Sequence, residues 1–580
     1  MIPDLTALKA RFLQLLDTSG AFSPTEREEG LRMMFSGKGY EWPFFCPMYP
    51  SKKALLIPAP WSMTPLVLCD RFAELVVWEP ERRRAELLDR FLVGSLGLPI
   101  RVIGAPLHRL AAHSEQYSLV AFEDTFAQRP GSCPKDVVRS AVRLLEDDGQ
   151  CCVVTANRFG RSNLKDALRS LTRKFKRGAR PGDTLPSLSG IRRELRGASL
   201  VHQRTYSFYP DHRQPREILG WNGHLPHHVR AKFRRPLHRL GFQAGLHDGF
   251  MVIAGRQQSA WGFVDQLLTH LRDELRLGAL PAVDECRVQR TGVLMFFLNL
   301  HDHGKAVLRV PIHHKGALRM DASRRVLALL AARAPQISSF APEQLAHGAL
   351  GRTPYALEGR LPGVTGDQVI ARSGTDRGIM DEAFHFLEQL SLVHCQRRQV
   401  DEAFGTRHFR PVFATLHRYY PEVSPALKDI EAFLVRSTRG QQIPLIWVHG
   451  DFNIRNVLLE PSARRLTGVI DWDSSKEFGL PLQDLLHFIL SMHRRRTGMC
   501  LGHAVAHALE GELLVARERS LLDGYCDLLG LEETLVTPLL MLYWAEHIAG
   551  HFVSGGPERR EAWHEENFFE PLRSIRCLTK

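Results

Sequence analysis

From Lys53 to about Gly255, short apolar runs alternate with helical stretches, and this alternation limits the fold more than any single motif does. The runs "ALLIP", "ELVVWEP", "PIRVIGAP", "YSLVAFED" and "CCVVTANRFG" are interspersed with the helix-like "SMTPLVLCDRFA", "ERRRAELLDRFLVGSLG" and "CPKDVVRSAVRLLEDDG". Strand-length runs joined by helices predict βαβ units and a parallel sheet. "LVHQRTYSFYP" and "GFMVIAGR" add strands after a longer connection.

From about Pro281 the rhythm changes. "ECRVQRTGVLMFFLNLHDHGKAVLRVPI" reads as consecutive antiparallel strands turning at "RTG" and "DHG". A helix, "GALRMDASRRVLALLAARA", and a strand running into a linker, "RTPYALEGRLPG", follow. From about Gly366 the chain is mostly helical, interrupted by the strand-like "PLIWVHGDF" and "LTGVIDWD". At 580 residues the chain exceeds what one hydrophobic core supports. The expected organisation is a helical segment over 1–45, an α/β domain over 46–260, an α+β lobe over 261–365 and a mainly helical lobe over 366–580.

With 44% hydrophobic and 24% charged residues, the composition is that of a globular protein rather than a disordered one. No apolar run approaches the roughly eighteen residues that span a bilayer, so no membrane span is expected. The start, "MIPDLTALKARFLQLLDTSG", reads as an amphipathic helix; it lacks a basic region followed by a continuous apolar core. The 10 cysteines contain no C-x-x-C, and the adjacent Cys151 and Cys152 point to opposite faces of a strand. Neither a disulfide framework nor a zinc site is implied, and a cytoplasmic location is expected. The net charge of +13 concentrates in "RSLTRKFKRGAR" (169–180) and "HHVRAKFRRPLHRLGF" (227–242). Neither stretch lies in a nucleic-acid-binding motif with stacking aromatics, so both read as solvated basic faces and nucleic acid is not an expected partner.

Behind the apolar "LIWV" comes "HGDFNIRNVLL", and "GVIDWDSSKEFGLPLQDLLHF" follows it. The combination of H-G-D-x-x-x-x-N, I-D-W-D and G-x-P-x-x-D resembles the aminoglycoside phosphotransferase and choline kinase family, relatives of protein kinases, over roughly Val283 to the C-terminus. The resemblance implies a bilobal kinase-like fold. It also implies ATP- and Mg²⁺-dependent phosphoryl transfer to a hydroxyl of a small molecule such as a sugar, an amino alcohol or a glycan precursor. This chemistry needs a carboxylate to orient and deprotonate the hydroxyl, and oxygen ligands to hold Mg²⁺ against the nucleotide phosphates. The family pattern assigns the base to Asp451 and the metal ligands to Asn456 and Asp471. His449 then braces the loop, Asp484 anchors it or caps the next helix, and Asp473 is a further metal-side carboxylate or a turn residue. In "KAVLRVP", Arg309 stands where kinases carry a phosphate-gripping lysine. The following helix has Val326 where the partner glutamate belongs, with Asp321 as the substitute. "YALEGRLPG" is the expected hinge, its backbone at Glu358 to Arg360 meeting adenine.

The N-terminal half resembles class I S-adenosylmethionine-dependent methyltransferases, a Rossmann-like fold in which Glu79, ending the second strand, matches the acidic residue that binds ribose. The first strand-to-helix turn, "IPAPWSMTP", departs from the family: it has no glycine, and Pro58 and Pro60 each lack an N–H. S-adenosylmethionine is therefore not an expected cofactor, and Glu79 marks a vestigial site. Two alternatives remain open on sequence: a methyltransferase with a regulatory pseudokinase half, and a nucleotide-binding scaffold. "EHIAGH" places His547 and His551 one helical turn apart with no third metal ligand evident, and "HEENFF" at His564 lacks the second histidine of a zinc-protease motif.

Overall fold

The computed structural model describes residues 5–35, 41–124, 134–157, 186–220, 248–257, 262–289, 291–376, 378–461, 465–553 and 561–579. Both basic stretches, 169–180 and 227–242, lie outside the described residues. The chain forms two compact units: Met1–Met320 with Leu345–Gly359, and Asp321–Gln344 with Arg360–Lys580. Strands Ala282–Gln289, Val293–Asn299, Lys305–Pro311 and Thr353–Gly359 fall in the first unit, and most of helix His314–Arg333 falls in the second.

The first unit is built on strands β1 (Tyr49–Ile57), β2 (Phe72–Glu79), β3 (Ile100–Gly104), β4 (Tyr117–Glu123), β5 (Leu145–Ala156), β6 (His202–Tyr209), β7 (Glu217–Leu219) and β8 (Gly249–Gly255). To these it adds β9 (Ala282–Gln289), β10 (Val293–Asn299), β11 (Lys305–Pro311), β12 (Gln344–Leu350) and β13 (Thr353–Gly359). They join one sheet in the order β12-β13-β11-β10-β9-β7-β6-β8-β5-β4-β1-β2-β3. β1 to β5 pair in parallel, and β8 lies antiparallel between β5 and β6. Antiparallel pairing of β7 with β9 carries the sheet on into the β9, β10, β11 and β13 meander. The alternation of side chains along each strand separates two cores. Leu56, Val77, Ala121 and Cys152 pack on one face, and Leu55, Val76, Val120 and Cys151 on the other. Strands buried on both faces explain why their sequences read as unbroken apolar runs.

The second unit has two small sheets. β14 (Val364–Thr365), β17 (Val457–Leu459) and β18 (Leu466–Val469) form one, in the order β14-β17-β18. β15 (Cys395–Gln399), β16 (Gln442–Val448) and β19 (Lys476–Gly479) form the other, with β16 central. Helices Ile379–Val393, Gln483–Thr497 and Val536–Val553 supply much of the surrounding core, in which Phe386, Trp447, Phe452, Trp472 and Trp544 are fully buried. Among the described residues no single helix is long and apolar enough to cross a membrane.

Candidate active site in the second unit

β16 is apolar from Ile443 to Val448 because it is covered on both faces, and it ends abruptly at His449. The turn beyond it requires a glycine. Gly450 has φ +83°, and a Cβ there would lie 2.3 Å from the Ser474 carbonyl oxygen. That close approach seats the 449–456 loop against the turn after β18. Ser475 Oγ donates to Val448 O at 2.6 Å and accepts from Trp447 Nε1 at 3.0 Å.

Asp484, in the first turn of helix Gln483–Thr497, fixes the loop from beneath. Its carboxylate accepts the backbone N–H groups of His449 (2.5 Å) and Gly450 (2.8 Å). Burial pushes this carboxyl up, against the opposing pull of His449 and the two N–H bonds. These two bonds tie the start of the loop to the helix. His449 is fully buried beside the Trp472 ring. Its Nδ1 accepts from the Asp451 N–H at 3.3 Å, so its Nε2 carries the proton donated to Ile470 O at 3.1 Å. This ring joins the two loops and has no nitrogen left to act as a base.

Asp451 is the loop's reactive-looking group, with its side chain 45% exposed. Asn453 Nδ2 donates to Oδ1 at 3.0 Å and Asn456 Nδ2 to Oδ2 at 3.0 Å. His487 Nε2 lies 3.2 Å from Oδ1, and its Nδ1 lies 2.7 Å from the Tyr543 hydroxyl. Burial works against the charge on Asp451. The hydrogen bond and charge of His487, with His449 and the Asn456 amide, outweigh it and hold the carboxyl below the usual carboxylate range. The sequence reading missed His487. Its signal was the spacing in "DLLH": three residues after Asp484 is one helical turn, so the residue that anchors the loop and the one that contacts its carboxylate share a helix face.

Asn456 also donates Nδ2 to Asp451 O at 2.9 Å. With the amide nitrogen committed to Asp451, Oδ1 is the oxygen left for a cation. β17 pairs with β18 and the Ile470 N–H donates to Asn456 O at 2.9 Å, which sets Asn456 beside the start of the Asp471 turn. Asp471 adopts φ +73°, ψ +56°, uncommon for a residue other than glycine and tolerated best by short polar side chains. A carboxylate and an amide oxygen so placed are the donor type that Mg²⁺ takes. Asp473 accepts from the Ser474 hydroxyl at 3.0 Å and is half-buried.

The other expected residues are placed differently. Arg309, in the first unit, is buried with Nη1 3.5 Å from Oε1 of Glu358 on the adjacent β13. A buried acid from the neighbouring strand therefore stands by Arg309, while Asp321, the expected substitute, bonds to Arg324 and Arg325 of its own helix. Val326 packs against the core of the second unit. Arg360 is exposed. Glu79 is fully buried, accepting from the Glu81 N–H at 2.9 Å and pairing with Arg84 at 3.0 Å. His547 and His551 diverge: the first ring faces His487 and the second packs on Trp563. His564 accepts from or donates to the Tyr420 hydroxyl at 2.7 Å.

Residues 292–521 match the family model described as "Phosphotransferase enzyme family". Acyl-CoA dehydrogenase family member 11 of Pongo abelii is 23% identical over 199 residues, which is 32% of this chain and 25% of that protein. The chain thus spans about a quarter of that relative's length. A macrolide 2′-phosphotransferase of Brachybacterium faecium is 17% identical, with 51% of this chain and 100% of that one covered and a TM-score of 0.33. An aminoglycoside 2′-phosphotransferase-IIIa, solved as its GDP complex, is 14% identical, with 54% and 99% covered and a TM-score of 0.37. With the H-G-D-x-x-x-x-N loop, its aspartate anchor and the I-D-W-D turn lying within the matched residues, the C-terminal region of this chain carries a domain of the phosphotransferase enzyme family.

Proposed function

We propose that the protein transfers the γ-phosphoryl group of ATP, with Mg²⁺, to a hydroxyl of a small molecule such as a sugar, an amino alcohol or a glycan precursor. The observation that carries this reading is the Asp451 carboxylate: ionised, half-exposed, and held by Asn453, Asn456 and His487. In the proposed reaction Asp451 orients the acceptor hydroxyl and takes its proton. His487, itself tied to Tyr543, steadies the carboxylate in its ionised form. Asn456 Oδ1 and Asp471 hold Mg²⁺, which neutralises charge on the phosphates when bound. Nucleotide contacts by Arg309 and by the backbone from Glu358 to Arg360 belong to the same proposal and rest on the family resemblance.

The reading of the N-terminal half as a methyltransferase-like core without its cofactor belongs here too. The strand order β3-β2-β1-β4-β5, with antiparallel β8 beyond β5, supports the likeness. Folds of this kind bind ligands at the carboxyl ends of the strands, where the order reverses between β1 and β4. In this chain Glu123, ending β4, accepts from Trp42 Nε1 (3.1 Å), the Ala59 N–H (3.1 Å) and the Thr64 hydroxyl (2.9 Å). Trp61, in the glycine-free turn, is buried against Phe12, Phe22 and Arg84. These contacts of Glu123 and Trp61 support the reading of a methyltransferase-like core that does not bind S-adenosylmethionine.

The test is a phosphate-transfer screen over a library of hydroxyl-bearing metabolites, run with wild type beside Asp451→Asn. The amide keeps the size of the side chain but accepts no proton, so turnover should fall at least about 10²-fold while ATP binding persists. Wild-type turnover by Asp451→Asn on an identified acceptor would remove Asp451 from the chemistry and leave a binding scaffold as the better reading.

A further inference from the structure

A cavity of about 300 Å³ opens in the first unit among Phe44, Met48, Val67, Arg71, Phe72 and Arg352. It lies at the amino end of β2, which begins at Phe72, and of β3, which Pro99 precedes. This is the end of the sheet opposite the carboxyl-end crevice where doubly wound folds bind their ligands. The turn between β12 and β13, Gly351 and Arg352, and the first residue of β13, Thr353, form part of its wall.

Arg71 is the unusual group. It is 3% exposed, with its guanidinium 4.5 Å from the Phe44 ring centroid and 5.0 Å from that of Phe263. Among the described residues its one side-chain hydrogen bond runs from Nη1 to Pro43 O at 2.6 Å, and no carboxylate pairs with it. Burial pulls its pKa down to about 10, which leaves it charged at neutral pH. A buried cation without a paired carboxylate costs stability, and an anion beside it would offset that cost. Aromatic faces on the guanidinium offset part of that cost and leave the planar fork aligned for a carboxylate.

The surroundings narrow the chemistry. Asp70, at the rim, pairs with Arg352 at 3.1 Å, and the Arg352 side chain is 81% exposed. The cavity therefore carries one net positive charge, which matches a monoanion better than a phosphate dianion. Most other wall groups are apolar. Burial pushes the Cys69 thiol in the wall up to about 12, so it is not a nucleophile at neutral pH.

We propose that this cavity binds a small monocarboxylate bearing an apolar group, with the carboxylate held bidentately by Arg71 and the apolar part against Phe44, Val67 and Phe72. The experiment is calorimetric titration of the full chain with phenylacetate, with 2-phenylethanol as the neutral control and inorganic phosphate as the competing anion. Saturable one-site binding of phenylacetate is expected, with no binding of the alcohol. Arg71→Met should weaken binding at least about tenfold, as loss of a charge-assisted bidentate contact does. Because Arg71→Met also removes the bond to Pro43, Thr353→Trp, which adds bulk to the lining, is the second variant and should abolish binding. Absence of saturable phenylacetate binding overturns the proposal, as does binding that survives Thr353→Trp. Binding unchanged in folded Arg71→Met, or phosphate binding with phenylacetate inert, overturns the carboxylate assignment.

Discussion

Asp451 takes its character from a residue thirty-six positions away. Desolvation alone would raise its carboxyl, and His487 is the first group that reverses the sign. Replacing His487 with Phe should therefore move that carboxyl upward. The sign is fixed by linkage: a carboxyl depressed in the folded state contributes stability that is present above its unfolded pKa and lost as pH falls through the folded one. The melting-temperature gap between Asp451→Asn and its parent should thus close at a higher pH in the His487→Phe background than in wild type. An unchanged closing point in parallel melts would show that His487 does not set the ionisation. Asp484 supports a second expectation. Asp484→Ala leaves two buried backbone N–H groups without acceptors, at a cost of about 1–3 kcal/mol each. Denaturant unfolding should show a loss of that order, and a loss below about 0.5 kcal/mol would mean that water replaces the carboxylate.

At the scale of elements, the loop after β16 and the turn after β18 act as one piece because Gly450 lets their backbones meet. Gly450→Ala adds a left-handed penalty of about 1–2 kcal/mol and a Cβ in contact with Ser474 O. It should lower stability and abolish phosphoryl transfer together, and full activity in a purified Gly450→Ala protein would break the link between loop and turn. This piece was legible in the sequence because its polar residues sit at fixed spacing behind an apolar strand. Other elements were not. β12, "QLAHGAL", has no β-branched residue and is a strand by virtue of its pairing with β13 at the sheet edge. β15, "CQRRQ", is polar and mostly exposed, and its register against Gln442–Ile446 makes it a strand. β5 begins at Leu145, so "LEDDG", read as the end of a helix, is already extended and pairs near Tyr117. The acidic partner of Arg309 escaped for a related reason. The kinase pattern places it one helix away, whereas strand pairing puts Glu358 diagonally across from Arg309, and which strands pair is a tertiary fact.

At the scale of the whole molecule, the buried clusters follow the division into two units. One cluster holds Trp61, Leu75 and Phe296, and another holds Phe386, Trp447 and Trp544. Separate cores of this size give each unit its own cooperative unfolding, and single-site changes should then register in one transition at a time. Trp61→Ala removes an indole packed within 5.3 Å of the Phe22 ring and against the site of a Gly30 Cβ, a class of change that costs about 3–5 kcal/mol. Asp484→Ala acts only in the other core. In scanning calorimetry of the full chain, Trp61→Ala should lower one transition by about 2–4 °C per kcal/mol and leave the other in place, and Asp484→Ala should do the reverse. If both variants shift one common transition, the two cores unfold as a single cooperative block. The same Trp61→Ala protein also tests the proposal that the first unit does not bind S-adenosylmethionine. If Trp61 blocks the cofactor position, S-adenosylmethionine should show no saturable heat with wild type and saturable binding with Trp61→Ala. Micromolar binding by wild type would mean that the glycine-free turn does not exclude the cofactor.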